Sequence, residues 1–186
     1  MMLLLTLLLT ACGGGGGTTS GSQQTAQTRE TPYSGSIALW DYLVPAADTT
    51  SSYIKTTGDE VQKYQTRYLR QNNSVTEVSD LSKNEKTVYS NEGNKIVVTF
   101  YTDGVQNGTV EMKGKVDIGN IVTVKTSDCR LAQHLESFKY NGQLFEDVIE
   151  IKCGENPGYY QKGVGEIMQK HPLGTTGTVT TKVLAK

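Results

Sequence analysis

After Pro45, apolar residues fall at alternate positions in short runs that Gly, Asn and Asp interrupt, the pattern of an antiparallel β protein. It predicts strands over 52–55, 61–69, 75–79, 87–90, 95–102, 109–116, 120–126, 129–138, 144–153, 159–168 and 178–184. Long helical periodicity is absent. The exception is 36–44, where Ile37, Trp40, Leu43 and Val44 share a helical face, Ser36 is placed to cap the start and Pro45 stops the segment. A first edge strand fits those residues equally well, because so short a stretch barely separates the two periods. The fold class expected is therefore all-β, with one short N-terminal helix as its only variant.

The chain opens on a different pattern. Residues 1–11 are an apolar run that ends at Cys12 and breaks into five glycines. Leu9-Thr10-Ala11-Cys12 resembles a lipobox, the site at which bacterial lipoprotein signal peptides are cut just ahead of an acylated cysteine. That resemblance implies lipid attachment at Cys12 and a place in the bacterial cell envelope. It also implies the outer membrane, since Gly13 rather than Asp follows the cysteine. More than one acyl chain is needed for a stable anchor, each buried methylene contributing about 0.8 kcal/mol. The run is too short to be a transmembrane helix, which needs about 20 apolar residues. Residues 12–33 are rich in Gly, Ser, Thr and Gln and lack the apolar surface to order themselves, so they read as a tether. A flexible coil of that length would hold the domain roughly 25 Å from the membrane. Residues 34–186 then form a single domain.

With Cys12 given to lipid, Cys129 and Cys153 remain as an even pair in an oxidising compartment, and a disulfide is expected. The alternative is a pair of reduced, buried thiols. Asn141-Gly142 between them is a hairpin signal. A two-residue turn there would set Cys129 opposite Gly154 and part the cysteines. A three-residue loop, Tyr140-Asn141-Gly142, sets Cys129 opposite Cys153. The latter register also puts Leu131, Leu135, Phe145, Ile149 and Ile151 on the cysteine face. Arg130, His134, Glu136, Glu146, Glu150 and Lys152 then take the wet face, with Glu136 across from Glu146. Closing a loop of roughly 25 residues would contribute about 3.5 kcal/mol on the chain-entropy account.

The run from Cys129 to Cys153, followed by Gly158-Tyr159-Tyr160-Gln161-Lys162-Gly163-Val164-Gly165, is similar to the closing hairpin of a group of bacterial envelope proteins. The resemblance implies an open, strongly curved antiparallel sheet or half-barrel, akin to the fold of lipoprotein carriers. Read physically, Gly163 and Gly165 clear one face of a strand and permit a sharp coil or the close approach of another element. Beside Tyr159 and Tyr160 they suggest a groove for an apolar ligand. Tyrosine is equally the usual filler of half-buried sheet faces, as the ten tyrosines here would also allow.

Charge adds exclusions. Lys and Arg number 18 against 19 Asp and Glu, intermixed, so no basic field is present to recruit nucleic acid. His134 and His171 have no partner visible in the sequence and read as solvated surface histidines, and no metal or cofactor constellation stands out. Asp103-Gly104 and Asn107-Gly108 are turn chemistry. No nucleophile and base can be paired, so the expectation is a protein that is not an enzyme. The function expected is a lipid-anchored envelope module that binds a hydrophobic ligand or an envelope protein. The other reading is a structural or surface-display lipoprotein without a ligand.

Overall fold

A computed structural model describes residues 27–30, 35–124, 127–171 and 178–183. Cys12 and most of the tether lie outside them. In chain order the elements are β1 (Gln27–Glu30), β2 (Ser36–Ala38), α1 (Trp40–Leu43), β3 (Thr49–Thr57), β4 (Glu60–Gln71), β5 (Ser74–Ser79), β6 (Glu85–Asn91), β7 (Lys95–Thr102) and β8 (Val105–Lys113). They continue with β9 (Lys115–Asp117), β10 (Ile121–Val124), β11 (Ser127–Tyr140), β12 (Gln143–Cys153), β13 (Asn156–Gln161), β14 (Gly165–His171) and β15 (Thr178–Val183). The chain is all-β, a curved antiparallel sheet. From β11 it runs through β12, β13, β14, β15, β3, β4, β5, β6 and β7 to β8. On its other side β11 pairs with β10 near its start and with β1 near its end. Because β8 lies beside β10, the sheet curls until it nearly closes into a barrel.

Two expectations about boundaries change. The expected strand over 159–168 is a hairpin, β13 and β14, turning through 162–164 with both Gly163 and Gly165 at positive φ. Gln27–Glu30, assigned by composition to the tether, adds to the edge of β11. Strand addition draws on main-chain hydrogen bonds and needs no apolar side chain, so composition could not signal it.

The segment over 36–44 combines both readings offered for it. Ser36–Ala38 pairs with Lys115–Asp117 in a separate two-stranded sheet, and the chain then turns into α1. Ser36 does not cap the helix; its hydroxyl bonds the Asp117 carboxylate, and Leu39 holds the cap position without a side-chain bond. The helix survives on burial instead. Ile37, Leu39, Trp40, Tyr42 and Val44 are all buried against Ile96, Val98, Ile149 and Ile151 of the barrel wall. Each such side chain contributes about 1.5–3 kcal/mol, enough to hold a single turn that has little stability alone. Residues 36–46 thus plug one end of the barrel. Arg70 fastens them, donating to the Pro45 carbonyl at 2.8 Å with its guanidinium 5.4 Å from the Trp40 ring.

The cysteine hairpin departs from the expected register in an instructive way. Asn141 and Gly142 both take positive φ and form the two-residue turn, with Tyr140 opposite Gln143. Left uncorrected, that register would separate the cysteines. A bulge between Leu131 and Gln133 absorbs one residue, so Leu131 faces Ile151 and Arg130 faces Lys152. Cys129 and Cys153 then meet, Sγ to Sγ 2.01 Å. Glu146 faces Ser137 rather than Glu136, which removes the expected like-charge pair.

A second irregularity follows. Asp147 takes φ 51 in mid-strand, and beyond it the alternation of β12 is reset. Leu135, Phe138, Phe145 and Val148 consequently share one buried cluster with Ile167 and Met168, outside the barrel. There Phe138 stacks on Tyr159 with ring centroids 4.0 Å apart. The far half of the hairpin therefore packs against the outer face of β13 and β14. Leu135 and Phe145 leave the cysteine face expected for them, and Glu150, expected on the wet face, is 2% exposed. Its carboxylate accepts from Gln133 Nε2 at 2.7 Å and from the Tyr159 hydroxyl at 3.1 Å.

Candidate functional site

Against the plug, the barrel holds a cavity of about 300 Å³. Strand register explains what lines it. Tyr53 faces Tyr64, and Tyr68, Glu77, Thr87 and Phe100 stand across successive ladders from one another. Alternation points that face inward. Tyr53, Tyr64, Tyr68, Tyr89 and Tyr160 reach the cavity with Glu77, Glu166 and Thr180; Leu43 of α1 forms its floor, and Lys55, Glu85 and Lys86 lie toward the mouth. Tyr53 and Tyr64 stack at 5.3 Å. The Tyr53 hydroxyl lies 3.2 Å from that of Tyr68 and also donates to the Glu166 carbonyl, while the Tyr89 hydroxyl donates to Glu77 at 2.9 Å.

Electrostatics follow from this wall. Burial is the main cause raising the phenol pKa of Tyr53, Tyr68, Tyr89 and Tyr160. Tyr64 is pushed up to about 12 on the same ground. The next contribution comes from carboxylates: Glu166 for Tyr53, Tyr64 and Tyr160, and Glu77 for Tyr68 and Tyr89. The phenols stay neutral donors at physiological pH. The tyrosines therefore offer the interior ring faces and hydroxyls rather than anions.

The four residues expected to form one groove are not brought together. Tyr160 faces the cavity, whereas its neighbour Tyr159 lies on the outer face under Phe138. Gly163 and Gly165 admit the plug. The Gly163 amide donates to the Asp41 carbonyl at 2.6 Å and its carbonyl accepts from Ala46 at 2.9 Å. A side chain at Gly165 would meet Pro45 Cδ at 3.3 Å, on a backbone of φ 85 that disfavours any side chain. The glycine pattern thus carries the close approach of another element, and the element is α1 with its following Pro45.

His134, read from sequence as a solvated histidine, is largely buried at the base of the barrel. Its Nε2 lies 2.6 Å from Asp147 Oδ1, and the Tyr42 hydroxyl donates to the same oxygen at 2.7 Å. Lys162 adds a backbone bond to the Asp147 carbonyl at 3.0 Å and its ammonium at 3.7 Å from Oδ2. Plug, hairpin and β13–β14 turn converge on one carboxylate. Partial burial raises the Asp147 pKa, but the bonds from His134 and Tyr42, with the charges of His134 and Lys162, outweigh it and hold the pKa below the usual carboxylate value. A depressed folded pKa contributes stability that is present above the unfolded value of about 3.9 and is lost as pH falls through the folded one. Asp147→Asn tolerates the left-handed backbone and so isolates the charge. The side chain is 43% exposed, so after solvent screening the variant should lose about 0.5–1 kcal/mol at neutral pH. Melting curves should converge with wild type in acid; a gap that stays constant down to pH ~2 would exclude the charge as the cause.

The fold and the cavity define a nearly closed antiparallel β-barrel that is plugged at one end and carries a polar, tyrosine-rich interior. The sequence matches no protein-family model and no curated protein. Among the described residues no cluster of His, Cys, Asp and Glu could hold a metal ion.

Proposed function

We propose that the protein is a non-enzymatic binding module of the bacterial cell envelope, anchored through lipid at Cys12, that takes a small molecule into its barrel. The observation that carries the reading is the cavity, whose about 300 Å³ lies at the lower end of the ~300–1,000 Å³ usual for ligand sites. A domain serving only as a spacer would gain nothing from holding tyrosines and two glutamates around that volume, since filling it with apolar side chains would be more stable. The lining also shifts the ligand away from the purely apolar molecule that the sequence suggested.

Two measurements test the reading. Protein extracted gently and examined by native mass spectrometry should carry a small molecule, and Thr87→Trp, which puts an indole into the cavity, should carry none. Equal loading of wild type and variant would show that the molecule sits elsewhere; wild type without any would favour the spacer. Separately, Cys12→Ser should abolish palmitate labelling, leaving the protein unprocessed or outside the lipid-labelled fraction, because the thiol on which acylation begins is gone. Labelling that persists would refute the anchor.

A further inference from the structure

Resting on that cavity reading, we infer that the ligand is a flat, uncharged ring compound carrying a carbonyl oxygen, which the Tyr160 hydroxyl binds while the neighbouring tyrosine rings hold the body. Five phenols line the cavity, and four have committed their hydroxyls to the barrel itself. Tyr53 bonds the Tyr68 hydroxyl and the Glu166 carbonyl, Tyr89 donates to Glu77, and Tyr64 is paired with Thr180. The Tyr160 hydroxyl has no hydrogen-bond partner among the described residues, although the residue is only 6% exposed. A buried hydroxyl left in that state is costly, and an acceptor entering the cavity would relieve it.

Tyr160 stands one residue from the plug-side end of β13, so its hydroxyl serves the deep part of the cavity. Gly158, two residues earlier on the same buried face, leaves the room its ring needs. A side chain there would come within 3.2 Å of the Tyr160 hydroxyl and 3.1 Å of its ring. Burial is the first cause raising the phenol pKa, so the group stays protonated and donates. The ligand atom it meets is therefore an acceptor. A carbonyl oxygen accepts and brings no proton that needs a partner of its own. The stacked rings of Tyr53 and Tyr64, 18° from parallel, present a flat face, which suits a flat ring better than a branched chain. Position disfavours charge on that oxygen. Lys55 and Lys86, the cations among the described lining residues, lie toward the mouth, and the Lys86 ammonium is held 4.5 Å from the Tyr101 ring. A carboxylate carried down to Tyr160 would lose its water without gaining either of them.

Acetophenone, α-methylstyrene and benzoate share one shape and differ in the group beside the ring: a carbonyl, a methylene in its place, and a carboxylate. Their binding to the full chain in detergent is read by equilibrium dialysis, and uptake by Thr87→Trp, whose cavity is filled, is subtracted. Acetophenone should bind about three- to tenfold more tightly than α-methylstyrene, and benzoate should not bind measurably. Tyr160→Phe keeps the ring and should weaken acetophenone by the same factor while α-methylstyrene binds as before, a split that a merely structural role would not give. That variant should also melt no lower than wild type, because the hydroxyl it loses holds nothing in the barrel. Equal binding of the two neutral probes by wild type, a preference that persists in Tyr160→Phe, or tightest binding of benzoate would overturn the inference. A lower melting temperature of Tyr160→Phe would overturn it too, by showing that the hydroxyl is already engaged. Failure of all three probes would remove the ring-carbonyl ligand, whereas a co-purified molecule lost in Thr87→Trp would still uphold the cavity.

Discussion

Replacing Cys129 and Cys153 together by alanine is expected to lower the unfolding free energy by about 2–5 kcal/mol. The bond closes a separation of 24 residues, for which the entropy of the unfolded loop alone gives about 3.5 kcal/mol. Its place in the barrel makes the loss more than local. Cys129 stands opposite Val122 of β10, at the seam where β10 and β8 lie side by side and the sheet nearly closes. The pair also pins the register that the bulge beyond Leu131 creates, so reduction should loosen the pairing of β10 before that of the continuous sheet. Chemical denaturation of the double variant and of wild type, with and without reductant, checks both statements. A midpoint unmoved by reduction, or thiols alkylated in the unreduced native protein, would remove the disulfide from the account.

The second large effect is expected outside the barrel. Phe138→Ala should cost about 3–5 kcal/mol, as truncation of a fully buried aromatic does when its surroundings cannot collapse. Phe138 is wholly buried, stacked on Tyr159 and flanked by Phe145 and Tyr140 with centroids 6.4 and 6.2 Å away. Its removal should free the far half of the hairpin from β13 and β14. Amide exchange is therefore expected to rise over residues 135–148 while the cavity strands β3 to β6 stay protected. Uniform loss of protection across all strands would show instead that the outer cluster and the barrel unfold as one unit. Ligand binding in the folded variant should be unchanged, because none of these rings lines the cavity.

The strands were legible in the sequence because each has one face turned to a core and the other turned away, and alternation records that difference residue by residue. The all-β class, most strand positions and the pairing of Cys129 with Cys153 came from such local patterns. So did the meaning of Gly163 and Gly165 as a place of close approach, though not the identity of what approaches. Local pattern is silent where one residue changes the register. Ala132 in the bulge and Asp147 at positive φ bear no local mark, yet between them they bring the cysteines together and move Leu135, Phe138 and Phe145 to a separate core. His134 lacked a visible partner for the same reason: Tyr42 and Asp147 are 92 and 13 residues away.

The cavity belongs wholly to the tertiary structure. Tyr53, Glu77, Tyr89 and Glu166 are separately unremarkable polar or half-apolar positions on four strands, and a lone sequence gives no reason to group them. Sequence determined that each strand would have two unlike faces. Which face turned inward was decided by closure of the sheet and by the plug that filled one end with Leu39, Trp40 and Val44. Alternation within a strand is set by local geometry, whereas enclosure is a property of how all the strands pair, and only enclosure turns a polar stripe into a buried polar site.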